Sequence, residues 1–173
     1  MKKLLLFVFG ILIASGIHAS ADSIGFSYGV NFLTPSDSGF STSHGRTTSL
    51  EWMLDEGLRL GVINEQTNLD YDGEIGNLTH NGLRVHHEVI NRVNVGIGLG
   101  SATANIAGSQ VTTSLVDIIG EVVIYSEEGE KISGSLVASL SARFMNTDGL
   151  TVNGDDIPNL DGANTALAVK VIF

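Results

Sequence analysis

The stretch Ile24-Gly25-Phe26-Ser27-Tyr28-Gly29-Val30-Asn31-Phe32 decides the fold. Every even position in it is apolar or aromatic, and every odd position is Gly, Ser or Asn. Successive side chains of a strand point to opposite sides, so a period of two sustained over this length means a strand whose faces meet different media. The same alternation returns in Val93, Val95, Ile97 and Leu99 against Asn94, Gly96, Gly98 and Gly100. It returns from Ile132 to Phe144, and once more in Leu167, Val169, Val171 and Phe173 against Ala166, Ala168, Lys170 and Ile172. Four further segments follow it: Thr48–Leu54, Leu58–Ile63, Leu83–Val89 and Val116–Ile124. No segment from Asp22 to Phe173 carries a convincing helical period. Eight strands are therefore expected, an even number.

The connections predict how the strands are joined. Those at Asp55-Glu56-Gly57, Asn91-Arg92 and Ser126–Glu130 are short. Those at Thr34–Arg46, Asn64–Asn81 and Asn146–Gly162 read as long, with Asn105–Gln110 intermediate. Short turns at one end and long loops at the other describe an antiparallel up-and-down meander, which can close into a barrel and leave no free edge.

Alternation alone fits both a soluble barrel, apolar inside, and a transmembrane barrel, apolar outside. The polar face here is crowded with Gly, Ala and Ser, which suit a narrow interior better than a water-facing sheet. Most segments also reach the ~9–11 residues that cross a bilayer as a tilted strand. The start of the chain agrees. Lys2 and Lys3 precede an apolar run from Leu4 to Ile17, and Ala19-Ser20-Ala21 supplies a small-x-small cleavage pattern. That is a secretory signal, and the run is short of the roughly 20 residues of a spanning helix. The expected organisation is a cleaved signal peptide over residues 1–21 and one barrel domain over 22–173.

Composition excludes several functions. With no Cys there are no disulfides, thiolate metal sites or cysteine nucleophiles. Nine Lys and Arg against 19 acids rule out a basic nucleic-acid footprint.

The ending Leu167-Ala168-Val169-Lys170-Val171-Ile172-Phe173 resembles the C-terminal signature of bacterial outer-membrane β-barrels, with alternate apolar residues and a terminal Phe. With the leader and the strand count, the mature chain resembles the small OmpA/OmpX-like barrel superfamily over nearly its whole length. The resemblance implies an eight-stranded transmembrane barrel in a bacterial outer membrane, with Phe173 read by the barrel-assembly machinery. It does not fix function, because the superfamily holds anchors, adhesins, small pores and enzymes.

The barrel's parity sends Glu51, Glu88, Asp117 and Glu121 to the lumen together with Arg59, Arg84, Arg143 and Lys170. Eight strands enclose only enough room for side chains, so these four acids and four bases are expected to pair. Their pairing gives either a rigid salt-bridged plug or a gated ion path in which partners exchange. Ile63, Ile119 and Val123 share this inward parity and favour a dry, packed section. His87 falls on the lipid-facing parity, which requires either a place at the membrane interface or a bulge.

Chemistry is sparse. Lipid A deacylases of this fold carry a His-x-Ser pair late in the chain; the corresponding Arg143-Phe144-Met145-Asn146-Thr147-Asp148 has neither residue. His44, with Ser41 and Ser43 nearby, is the remaining catalytic candidate. Asn68–Ile75 places oxygen ligands Asp70, Asp72 and Glu74 around Gly73 in the manner of a calcium loop, but the twelfth position is Thr79 rather than Glu. The segment with Asp148, Asp155, Asp156 and Asp161 is acidic and turn-rich. No cofactor is expected. The leading function is a non-enzymatic outer-membrane barrel with a filled lumen and acidic outer loops, in contact with outer-membrane lipid, lipopolysaccharide and divalent cations. A narrow pore for ions or small solutes is the alternative, and a lipid A-modifying enzyme comes third.

Overall fold

The computed structural model describes residues 23–173 apart from 38, 55–56, 72, 107, 148–149, 153–154 and 157–158. The leader expected over residues 1–21 lies outside the described residues. Among the described residues ten strands follow one another: β1 (Ser23–Pro35), β2 (Phe40–Met53), β3 (Leu58–Tyr71), β4 (Glu74–Ile90), β5 (Val93–Ile106), β6 (Ser109–Glu127), β7 (Ser133–Met145), β8 (Thr151–Val152), β9 (Asp155–Asp156) and β10 (Gly162–Ile172). Eight of them close into a barrel in the order β1-β10-β7-β6-β5-β4-β3-β2, every pairing antiparallel. The short β8 and β9 pair with each other.

One hydrogen-bonded row measures the geometry. From Gly25 it runs through Glu51, Gly61, Arg84, Gly98, Asp117, Arg143 and Gly162, and it returns to β1 at Pro35, ten residues on from its start. A stagger of that size in eight strands tilts them by about 40° and leaves an interior just wide enough for side chains. The row also shows how charge is accommodated, since Gly stands next to the charged residues around the wall. A Cβ on Gly61 would lie 2.8 Å from Glu51 Cγ, and one on Gly98 would lie 3.2 Å from Asp117 Cβ and 3.3 Å from Arg84 Cγ.

The strands run longer than the apolar alternation indicated. Thr34–Arg46 and Asn64–Asn81, read as long loops, are mostly strand: β3 continues to Tyr71, and β4 starts at Glu74. Gly73 at the tip has a φ of 82°, and Gly108 after β5 has 77°, the left-handed conformation that tight hairpin connections require. The added pairing is built from polar outward residues. The row Thr48, Asn64, Asn81, Ser101, Ser114 lies one outward step above the apolar row Leu50, Val62, Leu83, Leu99, Val116. Asn64 Nδ2 donates to Asn81 Oδ1 at 2.7 Å, and Asn105 Nδ2 donates to Asn77 Oδ1 at 3.0 Å.

Both described ends of the chain meet at the end of the barrel that carries the short turns, where the backbones of Ile24 and Phe173 exchange two hydrogen bonds (2.9 and 3.2 Å). The opposite, hairpin end is filled inside by an apolar cluster that includes Leu33, Phe40, Leu69, Leu78, Leu115, Met145 and Leu160. Outside, the wall is apolar and exposed: Phe26, Tyr28, Phe32, Ile97, Ile118, Leu140 and Val169 are each 47% exposed or more.

Candidate functional site

Below the apolar cap the lumen holds two charge clusters, one above the other. The alternation of β3, β4 and β6 places inward residues of both clusters on the same strands. On each, the member of the first cluster lies nearer the terminal end: Arg59 against Glu65, His86 against His80, Glu121 against Asp117.

The cluster nearer the termini joins Glu51, Glu121, Arg59 and Lys170. Arg59 bridges both acids, with Nη1 3.1 Å from Glu51 Oε2 and Nη2 2.5 Å from Glu121 Oε1. Lys170 Nζ does the same at 2.8 and 3.6 Å. Ser49 and Asn94 donate to the two carboxylates at 3.0 and 3.4 Å, and His86 Nδ1 stands 3.8 Å from Glu121 Oε2. A Cβ on Gly96 would lie 2.2 Å from His86 Cδ2, so the imidazole occupies the space this glycine leaves.

The second cluster joins Glu65, Asp117, Arg84 and Arg143. Arg143 grips Asp117 through Nε (3.0 Å) and Nη2 (3.2 Å), and Nη2 also reaches Glu65 Oε2 at 2.5 Å. Arg84 Nη2 lies 3.3 Å from Glu65 and 3.1 Å from Asp117. His80 Nδ1, Asn164 and Thr47 complete the shell of Glu65. Asp117, Glu65 and Arg143 are at most 1% exposed. A single charge at that depth would cost several kcal/mol, and it is the matching of two acids with two bases that makes the cluster tolerable.

A cavity of about 40 Å³ is lined by Ser27, Ile63, Arg84, His86 and Glu121. That is room for one or two waters. Arg84 Nε and His86 Nε2, both buried, have no hydrogen-bond partner among the described residues. A wider recess of about 230 Å³ is lined by residues of the terminal end, among them Leu54 and Ile172, together with Arg59, Asn94 and Lys170.

Seven of the eight lumen charges named from the sequence meet in these clusters, and Glu88 does not. It is exposed, its Oε1 accepts from the backbone N of Arg92 in the next turn (3.3 Å), and the β4–β5 register shifts just after it. Parity sets the face of a residue but not its depth, and Glu88 lies past the end of the lumen. Glu65, His80 and His86 were missing from the expected set. Glu65 continues the inward alternation Arg59, Gly61, Ile63 once β3 is extended, so the signal was present. His87 points outward opposite Leu58 and Val95, and the β4 register shift falls beyond it, between Glu88 and Ile90.

The calcium-loop reading of Asn68–Ile75 does not survive the hairpin. Tyr71 pairs with Glu74 and Asp70 with Ile75, so Asp70 and Glu74 lie on opposite faces and cannot converge on one ion. Asp70 Oδ1 instead accepts from Gly73 N at 3.0 Å; Asp72 lies outside the described residues. His44 sits exposed on β2 opposite Phe32, beside the β2–β3 bulge, and makes no side-chain hydrogen bond among the described residues. In the last acidic segment Asp161 is structural: it accepts from Met145 N and from Asn159 Nδ2, and its carbonyl accepts from Ser36. Asp148 lies outside the described residues, as do the side chains of Asp155 and Asp156.

A closed, tilted eight-stranded barrel, charged within and apolar without, is the fold of the small outer-membrane β-barrels. Neisserial surface protein A (NspA) is similar to this chain with a TM-score of 0.59 and 12% identity, the match covering 89% of this chain and 97% of that one. The N-terminal β-barrel domain of Pseudomonas aeruginosa OprF is similar with a TM-score of 0.50 and 15% identity, over 90% of this chain and 100% of that one. No family model and no curated protein matches the sequence.

Proposed function

We propose that the chain is a non-enzymatic outer-membrane barrel, its terminal end in the periplasm, whose lumen is closed and whose hairpin end acts at the cell surface. The observation that carries the closed lumen is the stacking of two charge-balanced clusters under an apolar cap, with a cavity of only about 40 Å³ among them. Water-filled conduction needs continuous width, and eight strands seldom supply it. Outside, the wall is apolar, and closure of the barrel leaves no strand edge unpaired, as hydrocarbon demands. Phe173 at the closing seam would be presented to the barrel-assembly machinery. Exposed Glu74, with half-buried Asp37 and Asp70, supplies acidity at the hairpin end, where lipopolysaccharide phosphates and shared divalent cations are the expected contacts.

The alternative is a narrow pore, favoured by the recess that opens the terminal end as far as Lys170. Refolded chain in planar bilayers separates the two. A gel shift between unheated and boiled samples together with a silent membrane supports the closed barrel. Steady conductance steps from the wild-type chain would overturn it in favour of the pore.

A further inference from the structure

The outward apolar face is not level around the barrel. β1 presents five apolar side chains in succession, from Ile24 to Phe32, whereas neighbouring β2 presents Trp52 and Leu50 and then turns polar at Thr48, Arg46 and His44. Register pairs Tyr28 with Thr48, Val30 with Arg46 and Phe32 with His44, so polar groups sit beside side chains of the apolar belt. The cause is geometric: the polar rows follow the hydrogen-bonded direction, which climbs around a tilted barrel, and they reach their lowest level at β2. Under them runs an external groove of about 930 Å³, walled by Leu50, Val62 and Leu83 on one side and Thr48, Asn64 and Asn81 on the other. Arg46 is the one cation among the described outward-facing strand residues. Its guanidinium donates to the neutral Gln66 amide (3.0 and 2.5 Å) and is matched by no carboxylate among the described residues.

We propose that this groove is a binding site for one molecule of a phosphorylated, acylated sugar lipid of the outer leaflet, an inference that rests on the outer-membrane reading above. The three chemistries of such a lipid are present in order. An acyl chain lies over Leu50, Val62 and Leu83; sugar hydroxyls and amides meet Thr48, Asn64 and Asn81; and a phosphate takes the unmatched charge of Arg46. A glycerophospholipid offers the chain and the phosphate but no ring to engage the amide row.

The test is native mass spectrometry of the refolded full chain released from detergent, titrated with purified lipid A or with phosphatidylglycerol. The wild-type barrel is expected to retain one lipid A, at least tenfold more tightly than phosphatidylglycerol. Arg46→Ala is expected to weaken retention at least tenfold, the scale of one hydrogen bond to a charged group, and Asn81→Leu about threefold to tenfold, the scale of a neutral one. Folding of each variant is checked by its gel shift, and Arg46→Gln and Asn81→Thr replace any variant that fails to fold. Equal retention of the two lipids, retention unchanged by the variants, or a dimer in place of a lipid adduct would each overturn the site. A wild-type chain that shifts on the gel yet binds no lipid A defeats this inference alone. A chain that is soluble without detergent and shows no shift defeats the membrane reading beneath it.

Discussion

Arg143 makes more of the lumen contacts than any other described basic side chain, holding Asp117 by two nitrogens and Glu65 by one of them. Its removal leaves two carboxylates at most 1% exposed with only Arg84 to balance them. Arg143→Met should therefore cost about 3–5 kcal/mol, the range for breaking one side of a buried pair, whereas apolar replacement of a whole balanced group is often neutral. Urea unfolding of the refolded barrel in detergent measures the difference, and a loss under 1 kcal/mol would mean that the pairing is not what holds these charges. The glycines carry a complementary constraint. A methyl on Gly96 would lie 2.2 Å from His86 and 2.6 Å from the Val85 carbonyl, which is backbone and cannot move aside. Gly96→Ala is expected to lose about 1–3 kcal/mol in the same measurement, as overpacking usually does.

At the scale of the strand, the apolar half was legible and the polar half was not. Ile24–Phe32 announces itself because lipid-facing side chains are large and apolar, while Asn64, Gln66 and Asn68 look like loop until their partners Asn81, Thr79 and Asn77 are seen opposite them. Ending β3 at Ile63 on that ground is what hid Glu65, the centre of the second charge cluster. Glu88 was gained wrongly for the converse reason, since alternation carries no information on where a lumen ends. β5 makes the boundary testable, because Ile97 and Thr103 both point outward on one strand, one in the apolar belt and one above it. Ile97→Arg should destabilise the barrel in lipid by about 2–4 kcal/mol and Thr103→Arg by about 0–1, the known fall-off of charge cost from midplane to interface. Equal, small losses at both sites would mean that both face water.

For the molecule as a whole, the open question of design is what selects a stagger of ten. A slip of one residue at the β1–β10 seam would exchange inside for outside, so the apolar pattern forbids it. A slip of two keeps every face correct, and hydrophobicity is blind to it. The ion pairs are not. Lys170 on β10 meets Glu51 at 2.8 Å across the intervening β1, and Asn164 meets Asn31 at 3.4 Å. A two-residue slip displaces β10 by about 7 Å along the strand and breaks both contacts. The lumen charges therefore serve closure as well as packing. The chain has no native cysteine, so paired cysteines report the seam cleanly. Val30 and Leu167 are direct partners on the outward face, in a hydrogen-bonded pair whose Cα separation of about 5.5 Å suits a disulfide. Val30→Cys with Leu167→Cys should cross-link on mild oxidation and run as a closed ring on a denaturing gel. Val30→Cys with Val169→Cys, two residues off, should remain reduced. Adding Lys170→Met to each pair should lower the first yield and raise the second; if neither moves, the stagger is set by the hairpins rather than by the charges inside.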